Sequence, residues 1–132
     1  MVSISDVINN QYPHFLYTRA SGEGVQDETG GWTGGEAVYE YHSRCREETN
    51  GRGTKVAAAD GTYRVFSALV QIPVEATHIP EGTEVVITDK EIDPAQLLSE
   101  DFVSDATNSG KIRIKGECLK FDEGRLHNRL WI

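Results

Sequence analysis

Residues 37–46 read AVYEYHSRCR, and their alternation decides the fold class. Taken as one unbroken strand, they put Ala37, Tyr39, Tyr41, Ser43 and Cys45 on one face and Val38, Glu40, His42, Arg44 and Arg46 on the other. A period of two is what a half-buried pleated strand imposes, because successive side chains point to opposite faces. Working outward, the same pattern recurs. Residues 13–20 (PHFLYTRA) predict a strand before it. Residues 62–72 (TYRVFSALVQI) predict a more fully buried one after it, opened by the turn pair Asp60 and Gly61 and ended by Pro73, which cannot donate to a ladder. EVVITD (84–89) follows the turn Pro80, Glu81, Gly82. GKIRIKGECLKF (110–121) and RLHNRLWI (125–132) come last, around a hairpin loop in which Gly124 supplies a left-handed position. About six short strands predict an all-β chain, a small antiparallel barrel or sandwich with long loops.

Three stretches lie outside the strands. Residues 1–12 form an N-terminal arm. Residues 47–60 (EETNGRGTKVAAAD) are polar and long for a hairpin connection. Residues 90–109 hold one short helix, capped by Asp93 with Pro94 at its first position and Ala95 to Leu98 following. The 132 residues are expected to form one domain (1–132), given ~150 residues per domain. A chain of this size can hold a core without disulfides or metals. No apolar run approaches the roughly 18 residues that span a bilayer. The opening MVSISDVINNQYPHF lacks the basic and apolar regions of a secretory signal. Cys45 and Cys118 have no partner at metal-ligand spacing and are read as free thiols facing a core.

Chemistry is sparse. The glycines of QDETGGWTGGEA (26–37) are not followed by the lysine and hydroxyl of a phosphate loop, nor by a helix. They read as a hairpin tip, with Asp27, Gly30 and Gly31 as turn residues and Trp32 either folded back or offered to a partner. His14, His42, His78 and His127 are scattered, and His42 and Cys45, three apart, point to opposite faces. No catalytic, metal-binding or cofactor-binding residue is assigned, and the acidic pairs Glu47/Glu48 and Glu100/Asp101 read as solvated loops. A formal charge of −8 opposes avid nucleic-acid binding. Arg44 with Arg46, and Lys111 with Arg113 and Lys115, each share a strand face, but Tyr39 and Tyr41 are read on the opposite face from Arg44, so stacking aromatics are not interleaved with the cations.

The layout as a whole resembles the small head–tail joining (head-closure) proteins of tailed bacteriophages. The resemblance rests on the opening strand from Tyr12, Pro13 and His14, the D-x-x-G-G-W tip from Asp27 to Trp32, and the aromatic strand closing in Arg44, Cys45, Arg46. It continues through the long polar loop, the I-P-E-G-T-E-V turn (79–85) and the final Leu130, Trp131, Ile132. It implies a β-barrel that forms a homo-oligomeric ring beneath the portal and adaptor in the virion, assembled in the host cytoplasm. Such a ring retains packaged DNA, which passes without sequence-specific binding, and offers a platform to tail proteins. It has no membrane partner, enzymatic activity or cofactor. By the same resemblance, the loop 47–60 is a candidate channel or gating element, with Glu47, Glu48, Asn50, Gly51, Arg52, Gly53, Lys55 and Asp60. Trp32 at the tip and Asp93, Leu97, Leu98 and Phe102 in the 90–109 insertion are candidate subunit or partner contacts. A tail-terminator or other neck protein, and an oligonucleotide-binding barrel of a different class, remain alternatives.

Overall fold

The computed structural model describes residues 11–21, 25–26, 32–33, 37–50, 53, 55–57 and 61–132. In chain order its strands are β1 (His14–Ser21), β2 (Val25–Gln26), β3 (Trp32–Thr33), β4 (Ala37–Thr49), β5 (Lys55–Ala57) and β6 (Tyr63–Val65). Then come β7 (Ala68–Pro73), β8 (Glu84–Thr88), β9 (Ile112–Glu117), β10 (Lys120–Asp122) and β11 (His127–Trp131). A 3-10 helix (Pro94–Leu98) and an α-helix, α1 (Glu100–Ser109), fill the connection between β8 and β9.

Seven strands make one antiparallel sheet in the order β10-β11-β7-β4-β1-β8-β9. Its two terminal strands, β9 and β10, are separated in the chain only by Cys118 and Leu119. The Cys118 N–H donates to the Thr83 carbonyl at 2.8 Å, prolonging the pairing with β8, and the Leu119 N–H donates to the Trp131 carbonyl at 2.8 Å, opening the pairing with β11. One bent strand thus carries the chain from one edge of the sheet to the other and closes a barrel. On the opposite side β4 plays the same part, pairing with β1 as far as Cys45 and with β7 from Arg46 onward. The all-β expectation holds.

Leu16, Val70, Ile72, Val85, Ile87 and Leu130 fill the interior without solvent exposure. Cys45 and Cys118 are buried among them as free thiols, as the sequence predicts. A second apolar cluster lies on the other face of β1, β8 and β9, where Tyr17, Val86 and Ile112 meet Leu97 and Ala106. In β8 four successive residues, Val85 to Thr88, are buried, so both of its faces are covered. The cover is the helical segment. Asp93 caps the 3-10 helix as expected, its Oδ1 accepting the Ala95 N–H at 3.0 Å. The longer helix that follows is not in the sequence expectation. Ser99 accepts the Phe102 N–H, Glu100 and Asp101 lie at the positive end of the helix dipole, and Gly110 at φ 80° closes the helix in the left-handed conformation.

Three local expectations are overturned. Residues 62–72 are not one strand: the chain breaks at Phe66 and Ser67, because β6 pairs with β5 while β7 pairs with β4 and β11. The single alternation of 37–46 also fails. Leu16 pairs with Ser43 but Tyr17 with Tyr41, which leaves His42 as an extra residue in a β-bulge. Beyond it the faces exchange: Cys45 joins the interior, while Tyr39 packs with Tyr17 and Phe15 in the outer cluster. Gly124, finally, has no positive φ. It is required because a Cβ there would overlap the His127 carbonyl oxygen. Gly124→Ala is therefore expected to destabilise the chain by about 2 kcal/mol, as overpacking does. A thermal melt equal to the parent's would show that the loop gives way freely.

Candidate functional site

The segment 47–60 does not form one loop. Glu47 continues the barrel wall in β4, and its side chain is only 3% exposed, against the solvated loop that the sequence predicts. Its Oε2 accepts two hydrogen bonds from Arg113 on β9, at 3.2 Å from Nε and 3.0 Å from Nη2. Its Oε1 accepts the Thr49 hydroxyl at 2.7 Å, and its backbone N–H donates to Nδ1 of buried His14 at 3.1 Å. Glu48 is exposed beside Gln71 and Arg46. Asn50 ends the wall, donating from its backbone to Ser67 O and from its side chain to Phe66 O, each at 2.8 Å. Past it, β5 and β6 form a separate two-stranded ribbon. Its register sets Lys55 opposite Val65 and Ala57 opposite Tyr63 on one face, where Tyr63 is 73% and Val65 56% exposed. Val56, on the reverse face, is buried. Gly53 is exposed at φ 69°. Gly51, Arg52 and Asp60 lie outside the described residues.

Of the other candidate contacts, the Trp32 backbone pairs with Gln26, and its side chain is outside the described set. Asp93 serves as a cap. Leu97 is buried in the outer cluster, which corrects its reading as a partner contact. Phe102 packs half-buried against the same cluster, and Leu98 stays exposed.

The basic strip on β9 is largely neutralised. Arg113 holds Glu47, and Lys115 Nζ lies 2.8 Å from Glu84, which also takes Arg19 at 3.1 Å. Burial alone would raise the Glu84 carboxyl, but the bonds from Lys115 and Arg19 outweigh it and hold it below its usual value. The bulge at His42 also corrects the aromatic placement. Tyr41 shares a face with Arg44: the Arg44 guanidinium lies 4.5 Å from the centre of the Phe15 ring, and Phe15 lies 6.4 Å from the Tyr41 ring. Sequence spacing missed this patch because a bulge is set by the neighbouring strand.

At the end of the barrel where β1 and β4 lead into the glycine-rich segment, a cleft of about 350 Å³ opens between Thr18, Glu40, His42, Thr77, His78 and Thr83. His42 contacts the Ser43 hydroxyl through Nδ1 and the Thr77 carbonyl through Nε2, each at 2.8 Å. A carbonyl only accepts, so Nε2 carries the proton and Nδ1 accepts from Ser43. That is the local order of a nucleophile and its base, where the sequence had offered only His42 and Cys45. Ser43, however, is not among the walls of the cleft, and the pair ties down the bulge. Burial raises both thiols, Cys118 to about 12, so neither is a nucleophile at neutral pH. Among the described residues no group of three or more His, Cys, Asp or Glu is placed to hold a metal, and no helix is long and apolar enough to cross a membrane.

His14 and His42 both titrate below the ordinary histidine value of 6.5. Burial is the first cause in each. Arg113 adds to it at His14, and the Thr77 carbonyl opposes it at His42. Each ring binds its proton more weakly when folded, so its contribution is complete above the unfolded value and is lost as pH falls through the lowered folded one. The melting temperature is thus expected to be level from about pH 8 to 7 and to fall towards about pH 5, with His14→Gln plus His42→Gln flattening that slope. An unchanged slope in the double variant would assign the acid loss to other groups. Glu84, held low, stays charged across this window. No family model, curated protein or solved structure matches the chain.

Proposed function

We propose that this chain is a structural part of the head–tail junction of a tailed phage or prophage, working as a ring of identical copies that retains packaged DNA and receives the tail. The observation that carries the reading is the β5–β6 ribbon, which bears exposed Tyr63 and Val65 apart from the barrel's sheet. Exposed aromatic and branched side chains on an arm serve assembly better than they serve a solitary soluble barrel. Charge supports it as well. Residues 50–65 carry Arg52, Lys55 and Arg64 against Asp60, a net +2, which leaves −10 on the rest of the chain. A strongly acidic body lets DNA phosphates slide past without holding them.

A second reading, an oligonucleotide-binding barrel, takes support from the Phe15–Arg44–Tyr41 patch. The pairing of Arg113 and Lys115 with carboxylates and the net charge of −8 weigh against it. The deciding experiment is electron microscopy of particles made without this gene. Full heads that leak DNA beside separate tails of normal length are the expected result. Tails of irregular length would move the protein to the tail terminus, and intact virions would end the proposal.

A further inference from the structure

The ribbon and one strand of the barrel complement each other. Among the described residues, β4 from Val38 to Tyr41 has β1 on one side and no strand on the other; beyond it His42 is held by Thr77, and β7 joins at Arg46. An unpaired edge is a template for another chain, and monomeric proteins usually blunt it with lysine, proline or a cover. Residues 37–45 contain neither lysine nor proline. Val38 is 40% exposed and shares its face of the strand with exposed Glu40, Tyr41 lies on the other face, and the cleft of about 350 Å³ runs beside Glu40. The outward ribbon face has the matching chemistry: two exposed apolar side chains, Tyr63 and Val65, and a cation, Lys55.

We propose that the outward face of the β5–β6 ribbon of one copy seats on the open β4 edge of the next copy, Tyr63 and Val65 covering Val38 while Lys55 meets Glu40 on the same face of the strand. This names the subunit contact of the proposed ring and rests on that reading. The contact joins two different surfaces, so each copy offers one and uses the other. Such a heterologous interface repeats from copy to copy and makes a ring when its rotation closes. A second copy is the occupant that the charges favour, because an acidic chain with a net positive ribbon attracts its own body.

Mixing a Tyr63→Cys chain with a Val38→Cys chain at high concentration under mild oxidation tests this, since the native thiols are buried. The expected product is a disulfide-linked pair of the two variants, in clear excess over Tyr63→Cys linked to itself and over a control with Gln96→Cys on the exposed helical side. In sedimentation, Lys55→Glu and Glu40→Lys should each weaken self-association about tenfold by setting like charges together, and the two combined in one chain should restore it. Linkage no better than the control overturns the proposal. So does dominant self-linkage of Tyr63→Cys, which would mean a two-fold contact. Failure of the double exchange to restore association also overturns it, and so does duplex DNA retardation that Lys55→Glu abolishes without any linked pair. A linked pair together with intact virions in the absence of the gene would keep this interface and remove the head–tail assignment. Leaking heads with no linked pair would do the reverse.

Discussion

Arg113→Ala is expected to cost about 3 kcal/mol of stability and to lower the melting temperature by about 10 °C. The loss comes less from the missing guanidinium than from the Glu47 carboxylate it leaves behind. That carboxylate is 3% exposed and receives both Arg113 bonds on one oxygen. Without Arg113 it keeps only the Thr49 hydroxyl, on the other oxygen, as a side-chain partner. Breaking a buried pair from one side is severe because a charge stays in a medium that solvates it poorly. The expected size is at the low end of the usual range because Arg113 itself keeps 36% of its surface in water. The same asymmetry orders the variants. Glu47→Ala should cost less, about 1–2 kcal/mol, since the freed guanidinium can rehydrate and still reach Asp89, now 4.0 Å away. Glu47→Leu combined with Arg113→Met should cost less than Arg113→Ala alone, as replacing both partners removes the stranded charge. Urea titration gives all three values. If Glu47→Ala proved the worst, the explanation would be wrong, and the carboxylate's contacts with β4 would matter more than its charge.

Tyr17→Ala is the other large effect expected, about 4 kcal/mol for a fully buried aromatic side chain. Tyr17 lies wholly inside the outer cluster, in edge contact with Tyr41 at 5.7 Å between centroids. Its hydroxyl accepts the Ile92 N–H at 2.9 Å and donates to the Ile92 carbonyl at 3.2 Å. One phenol therefore satisfies both polar groups of a single backbone residue at the point where the chain leaves β8 for the helices. Tyr17→Phe separates the contributions. It keeps the ring and strands the Ile92 groups, so it should cost about 1–2 kcal/mol, with faster amide exchange in α1 than in the barrel strands. Uniform exchange in both regions would show that the helical cover and the barrel open as one unit.

How much of this was legible in the sequence depends on the range of each interaction. Strands such as β4, β8 and β11 announce themselves through alternation or apolar runs, and the cap at Asp93 through its proline. The helix α1 carries a signal readable in the sequence: Ser99 before two acids, and Gly110 after its last residue. The unbroken apolar run of β8 likewise asked for a covering layer. The bulge at His42 is different, since it exists only as a mismatch with β1, and a slip of one residue exchanges every face beyond it. Burial of Glu47 is equally nonlocal, because its partner Arg113 lies 66 residues away. The candidate channel segment is therefore wall at its start, in β4, and a separate ribbon from β5 onward.

Closure of the barrel through Cys118 and Leu119 also bears on how fast the chain can acquire its shape. The strand running from Ile112 to Asp122 can finish its pairing only after β8 and β11 both stand in place, and β1 must find β8 across some seventy residues of chain, with Phe15 opposite Thr88. Few of these pairings are local, so the entropy of closing large loops is lost before contacts return it. Folding in milliseconds to seconds, rather than microseconds, is the regime such a topology imposes. During that interval the edge of β4 is open to any neighbour, and a chain so acidic keeps its half-folded copies apart by repulsion.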